Sequence, residues 1–313
     1  MIRLSFIIAV AIILSSCAGE TPERSQMDSK ITVPEGFTAE VIADSLGRAR
    51  HLDITDNGDI YVAMRNTRDQ KGGVVGLRDA NGDGFYEVQV NFGHDGGTGI
   101  KIRDGYIYFA SDTSVVRYRQ ILNELMPDPN YETIVYDLPV QNTHAAKSFD
   151  FDDSGNIYVN VGAPSNACME ESRTPGSPGM DPCPLLETAG GIWQFVDGQS
   201  GQKQADGVRY ASGIRNAVAL AWNHTASDLF IVQHGRDQLN TMWPDLYDEQ
   251  DNAKLPAEEF LRVEEGAKLA WPYCYYDRFT EAYVVSPEYG GDGEEVGRCD
   301  EYNDPVVAFP AHY

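Results

Sequence analysis

His51-Leu52-Asp53-Ile54-Thr55-Asp56-Asn57-Gly58-Asp59-Ile60-Tyr61-Val62-Ala63 holds two short alternating apolar segments joined at an Asp-Asn-Gly turn. Phe149-Asp150-Phe151-Asp152-Asp153-Ser154-Gly155-Asn156-Ile157-Tyr158-Val159-Asn160-Val161 repeats it closely. Ile100 to Ala110 is a tighter copy around Asp104-Gly105, and Val218 to Gln233 is a fourth, turning after Trp222-Asn223-His224. Alternation over a few residues marks a half-buried strand, and Asn-Gly or Asp-Gly supplies the backbone freedom of a tight hairpin. Further strand-like pieces follow, such as Val115-Val116-Arg117-Tyr118 and Thr133-Ile134-Val135-Tyr136.

The hairpins recur at roughly 45–70 residues, the spacing of four-stranded propeller blades carrying loops. A blade buries its faces only against its neighbours, so the unit must repeat. The expectation is an all-β, six-bladed β-propeller over residues 33–313, with about four blades in this chain. A β-sandwich is the alternative, and the regular self-similarity favours the propeller. Pro305 to Tyr313 reads as a strand entering a loop with no closing strand, so the fold is expected to be incomplete.

Ahead of the domain, Met1-Ile2-Arg3 is a short basic start, and Leu4 to Leu14 is almost wholly apolar. That run is too short to span a bilayer and reads as an export signal. It ends in Leu14-Ser15-Ser16-Cys17, the pattern of a bacterial lipobox. The segment 1–17 is therefore expected to be a lipoprotein signal with Cys17 as the lipidated residue, and 18–32 a polar tether. The protein would be an exported lipoprotein on the periplasmic or cell-surface side of a membrane, anchored through its N-terminal lipid.

Four cysteines remain: Cys168, Cys183, Cys274 and Cys299. An even number in an oxidising compartment suggests two disulfides. Cys168–Cys183 and Cys274–Cys299 are favoured because each closes a short loop-rich segment, although three connectivities are possible. No CxxC spacing supports a zinc site. The formal net charge of -24 disfavours nucleic acid as a partner, since phosphates would be repelled.

Several motifs in order carry a resemblance to a known family. Asn142-Thr143-His144-Ala145-Ala146-Lys147-Ser148-Phe149 with Gly155 to Gly162 is similar to a stretch of the glucose/sorbosone dehydrogenase family, propellers that use pyrroloquinoline quinone (PQQ) and calcium (Ca2+). Ala211-Ser212-Gly213-Ile214-Arg215-Asn216 resembles its Gly-x-Arg-Asn segment, and Gln233-His234-Gly235-Arg236-Asp237 resembles a variant of its calcium loop. Trp271-Pro272-Tyr273-Cys274 and Pro310-Ala311-His312 fit the same branch. The resemblance implies oxidation of an aldose or a sugar aldehyde, with electrons passed to a dye, quinone or cytochrome.

Such a reaction needs a base for the hydroxyl proton while hydride leaves carbon. The resemblance assigns that role to His144, and assigns Arg215, Asn216 and His234 to the cofactor. It gives calcium the main-chain oxygens of Gly235 and Arg236, with Asp237 orienting the loop. Arg236 stands where soluble glucose dehydrogenases have proline, which still leaves a carbonyl. Arg50, ahead of the first hairpin, is a further candidate for cofactor contact.

One site stands on its own chemistry. Asp79-Ala80-Asn81-Gly82-Asp83-Gly84-Phe85-Tyr86-Glu87 places side-chain oxygens at alternate positions, with glycines for a sharp turn and the Phe85 carbonyl to hand. Asp79, Asn81, Asp83, Phe85 and Glu87 are therefore candidate calcium ligands. The alternative is an Asp-rich turn that hydrogen-bonds itself. The aromatics Trp271, Tyr273, Tyr275 and Tyr276 are as consistent with core packing as with sugar stacking. A calcium-dependent lactonase and a non-catalytic envelope-binding propeller are the competing functions. The first would need acidic ligands gathered at the channel.

Overall fold

Each hairpin turn found in the sequence lies between the first two strands of a blade. The computed structural model describes residues 31–93 and 95–311. The chain divides at Asp44/Ser45. The described part of the first unit, from Ile31, holds a turn in which the Phe37 amide donates to the Pro34 carbonyl, and no helix or ladder of strands. Cys17 and the apolar leader lie outside the described residues.

The second unit contains the strands. Blade 1 is β1 (Ala49–Ile54), β2 (Ile60–Met64), β3 (Gly73–Arg78) and β4 (Val88–Phe92), paired in that order. Blade 2 is β5 (Gly97–Arg103), β6 (Tyr106–Ser111), β7 (Val115–Arg119) and β8 (Tyr131–Tyr136). Blade 3 takes β9 (Phe149–Phe151), β10 (Asn156–Val161) and β11 (Gly191–Val196), passes through the short β12 (Gln202–Lys203), and closes with β13 (Val208–Ser212). Blade 4 takes β14 (Ala217–Asn223), β15 (Asp228–Gln233) and β16 (Glu258–Val263). It is interrupted by β17 (Ala267–Lys268) and the hairpin β18 (Cys274–Asp277)/β19 (Ala282–Val285), then completed by β20 (Val307–Phe309).

The tail carries the strand read from the sequence. Its strand is the outer strand of blade 4, in register from Glu258↔Phe309 to Phe260↔Val307.

Three apolar cores lie between successive blades. Tyr61, Ala63 and Val74 of blade 1 meet Ile100, Ile107 and Phe109 of blade 2. Tyr108, Ile134 and Val135 meet Phe149, Ile157 and Trp193 of blade 3. Tyr158, Ile192 and Tyr210 meet Leu229, Ile231 and Leu261 of blade 4. Burying a side chain of this size contributes about 1.5–3 kcal/mol, so each blade is held chiefly by its neighbour. Two short parallel additions tie the blades further: β12 extends blade 2 beside β8, and β17 extends blade 3 beside β13.

Strand direction decides where the loops emerge. In an up-and-down blade, the links after the second and fourth strands share one end, and those after the first and third share the other. Cross-blade contacts align the blades in the same sense. Arg65, after β2, pairs with Asp112, after β6, at 2.9 Å. Arg103, ending β5, donates to the Asp152 carbonyl, after β9, at 3.0 Å. One end therefore gathers the links 65–72, 137–148, 162–190, 213–216 and 234–257.

Candidate active site

His144 lies in the link between β8 and β9 and adopts a left-handed backbone, φ 53°. Its Nδ1 sits 2.5 Å from the Ala163 carbonyl. A carbonyl only accepts, so Nδ1 carries the proton and the lone pair falls on Nε2. Burial, and then the nearby Arg215 charge, hold the imidazole down at about 4. The side chain is a neutral base at ordinary pH.

Gly162 lets the parts of the site meet. A Cβ there would stand 2.7 Å from both the Asn216 Oδ1 and the His144 carbonyl. The Ala163 amide donates to the Arg215 carbonyl at 2.8 Å. Three residues expected from distant motifs, His144, Arg215 and Asn216, are thus assembled around the dipeptide that follows β10.

Arg215 is 2% exposed, and burial pulls it down to about 10, still cationic at neutral pH. Its Nε and Nη2 donate to the carbonyl and side-chain oxygen of Asn166, and Nη2 also meets Asp237 at 2.8 Å. Arg173 meets the same Asp237 oxygen at 2.9 Å. Asn166 closes the arrangement by accepting from the Asp237 amide and donating to the Asp237 carbonyl, both at 2.8 Å. Asp237 thus joins its loop to two arginines. The Arg215 Nη1 and the Asn216 Nδ2 make no hydrogen bond with any described residue.

The loop 234–237 is held from below. Glu258 binds the His234 Nδ1 and accepts from the Gly235 amide at 3.2 Å. The Arg236 side chain turns inward to Glu288, 2.7 Å away, and Glu288 also accepts from the Trp243 indole at 2.9 Å. The Gly235 and Arg236 carbonyls accept no hydrogen bond from a described residue. Arg215, His234, Gly235, Arg236, Glu259 and Trp271 line a small cavity here.

Asn166, Arg173, Glu258 and Glu288 were not singled out from the sequence. The first two lie in the long link 162–190, which has no strand periodicity. The Cys168–Cys183 disulfide staples that link, and Cys274–Cys299 ties the β18–β19 hairpin to the turn at Gly297–Glu301, so the favoured pairing is correct. Trp271, Tyr275 and Tyr276 are buried, and Tyr273 packs beside Trp271, which supports core packing.

Two candidates stand apart. Arg50 is exposed on β1, at the site end, with no ion pair among the described residues. The Asp79–Glu87 loop joins β3 to β4, at the opposite end from His144. There the Asp79 carboxylate accepts from the amides of Gly82 and Gly84, both at 2.7 Å, and these amides hold it below the usual carboxylate range. Asn81 accepts from Asp83, Asp83 from Phe85, and Glu87 from Ala80. The loop's carboxylates and Asn81 are thus engaged within the loop. No group of three or more His, Cys, Asp or Glu placed to hold a metal ion occurs among the described residues.

Residues 31–288 match the model of a family described as TrAA12-like. The chain belongs to the TrAA12-like family. A comparison with curated proteins finds no match. Among solved structures, the protein of Carbohydrate-Active Enzymes Family AA12 from Trichoderma reesei is similar in its iodide form, at 18% identity and TM-score 0.70. Its calcium structure gives 17% and 0.69, and either comparison covers 90% of this chain and 72% of that one. The holo form of the pyranose dehydrogenase PQQ domain from Coprinopsis cinerea gives 16% identity and TM-score 0.66, covering 87% of this chain and 67% of that one. At these identities the likeness speaks for the fold that this TrAA12-like chain shares. The family read from the motifs around His144 and Arg215 is thereby borne out.

Proposed function

We propose that this protein oxidises a sugar, an aldose or sugar aldehyde, with PQQ and calcium bound at the end of the propeller that carries His144. The observation that carries the reading is the fixed tautomer of His144, whose imidazole lies within the field of the Arg215 charge and whose backbone packs with Asn216 against Gly162. Support also comes from the family and from the PQQ-bearing and calcium-bearing structures that share the fold.

The donor set suits a flat polycarboxylate. Arg215 has an uncommitted Nη1, Asn216 an uncommitted Nδ2, and Arg173 contributes a second guanidinium. Arg50 adds a cation at the same end. The uncommitted carbonyls of Gly235 and Arg236 are the oxygen type that calcium takes. PQQ, when bound, supplies the acceptor for the hydride leaving the sugar carbon.

The chain's own part is proton handling and placement. His144 Nε2 takes the hydroxyl proton as the C–H bond breaks and the C=O bond forms. An imidazole held near 4 is a weak base, so transfer accompanies hydride departure rather than preceding it. The same low value returns the proton readily to water. Glu258 fixes His234 and the Gly235 amide, so the carbonyls of that loop stay in place. Anchoring to an envelope through Cys17 is part of this proposal.

The test is reconstitution of the chain with PQQ and calcium, followed by dye reduction with a panel of aldoses. Sugar-dependent reduction abolished by a chelator is expected. Folded protein that binds no PQQ would overturn the reading.

A further inference from the structure

Lys147 is 0% exposed and lies three residues after His144. Its Nζ makes one hydrogen bond among the described residues, to the Ala145 carbonyl at 2.8 Å. The groups that act on its charge are Asp112 and Arg65, themselves paired at 2.9 Å through the Asp112 Oδ2. The other Asp112 oxygen is buried with no hydrogen-bond partner among the described residues. Burying an ammonium costs several kcal/mol after relaxation, and a single carbonyl is slight compensation. Burial accordingly pulls the amine down to about 8.

The rest of the link explains the placement. Gln141 Nε2 donates to the carbonyls of Thr143 at 2.9 Å and His144 at 2.7 Å, and also to Gly162 at 2.9 Å. Lys147 takes the Ala145 carbonyl, and Asn160 Nδ2 takes that of Ala146 at 3.1 Å. Four consecutive carbonyls are thus each caught by a side-chain donor, and none accepts from a backbone amide of a described residue. The donors replace the ladder that a strand would have. They hold His144 in its left-handed conformation, φ 53°, which a β-carbon disfavours.

We propose that Lys147 is a positioning residue for His144: its buried ammonium fixes the peptide after Ala145 and so aims the imidazole Nε2 into the site. This rests on the reading of His144 as the base. Lys147 touches neither substrate nor cofactor. It acts by holding the chain that presents the imidazole. Misplacing a catalytic group by about 1 Å can cost up to 100-fold in rate.

A double-mutant cycle on the reconstituted full chain separates this role from general support of the fold. Lys147→Met is expected to lower kcat by about tenfold or more, with the sugar KM changed less than about twofold. In a His144→Ala background the same substitution is expected to change the residual rate little, because the group it positions is gone. An equal loss in both backgrounds, or no loss in either, overturns the proposal. If Lys147→Met does not accumulate as folded protein, Lys147→Leu, which likewise removes the donor, takes its place under the same two outcomes. If the unmodified chain oxidises no sugar, the reading of function has failed, and the positioning role is still measured by 15N NMR of His144. Substitution of Lys147 should then reduce the Nδ1–H tautomer, and an unchanged ring spectrum overturns it.

Discussion

The His144 Nδ1 lies 2.5 Å from the carbonyl oxygen of Ala163 and donates its proton there, and the amide of Ala163 in turn holds the backbone of Arg215. One residue therefore sets both the tautomer of the base and the position of the cation that helps lower its pKa. The imidazole is held at about 4, against an ordinary 6.5.

The pH dependence follows from that value. The base must be neutral, so kcat/KM should rise with pH through about 4, with no rising limb near 6.5. Stability carries the same signature. Between pH 6.5 and about 4 an unfolded His144 takes a proton that the folded one refuses, so stability falls as pH falls across that window. Steady-state rates over the range, and the same measurement on Gly162→Ala, check it. The added methyl meets His144 and Asn216 at 2.7–2.8 Å, so that variant should lose most of its activity.

Asn166 is the joint between the disulfide-stapled link and the Arg215 pair. Asn166→Ala removes its side-chain bonds to Arg215 and to both backbone polar groups of Asp237. A buried guanidinium then loses an acceptor, and a loss of roughly 2–4 kcal/mol is expected. The affinity for PQQ should weaken with it, because Arg215 and Asp237 are no longer held in register. Chemical denaturation and a cofactor titration read the two effects separately. Unchanged stability would show that the network relaxes around the gap.

Much of this fold is legible in the sequence because a blade announces itself by alternation in its strands and, in the first three blades, by glycine in its first turn. Gly58, Gly105 and Gly155 all have positive φ at those turns. The assembly of His144 with Arg215 and Asn216 was foreseeable from the family resemblance that their motifs carry. Asn166 was not. Its partners Arg215, Asp237 and Trp271 lie 49, 71 and 105 residues away, and no local pattern encodes such contacts. The Asp79–Glu87 loop has the composition of a cation loop, and its position after a third strand sends it to the end of the blade away from His144. The two-residue strands β12 and β17 are too short for any periodicity to mark.

Arg236 and Glu288 form an ion pair with both side chains almost wholly buried, 3% and 0% exposed. Breaking such a pair leaves one charge uncompensated and should cost about 3–5 kcal/mol, as in Glu288→Ala. Removing both charges, in Arg236→Met with Glu288→Leu, should recover much of that loss. Coupling of this sign in a denaturation cycle is the expected result, and simple additivity would contradict it. Because the Arg236 backbone carries a candidate calcium-binding carbonyl, the single variant should also weaken calcium more than the double one does.

Glu259 is fully buried, and desolvation first, then the neighbouring Glu258 charge, pushes it up to about 7 despite hydrogen bonds from Gln233 and Tyr283, both at 2.9 Å. Below the ordinary value of 4.5 both folded and unfolded chains keep this proton. Between 4.5 and about 7 the unfolded chain releases it and the folded one does not, so this residue makes stability fall as pH rises through that window. Above about 7 the folded state carries the full cost of a buried carboxylate. Glu259→Gln keeps an oxygen for both donors and cannot ionise. It should therefore remove the slope and be more stable than the parent above pH 7, while the two converge near pH 4. Urea unfolding of both proteins at several pH values decides it. Parallel curves across the range would mean that Glu259 is charged in the folded protein throughout, with its two hydrogen bonds sufficient to keep it so.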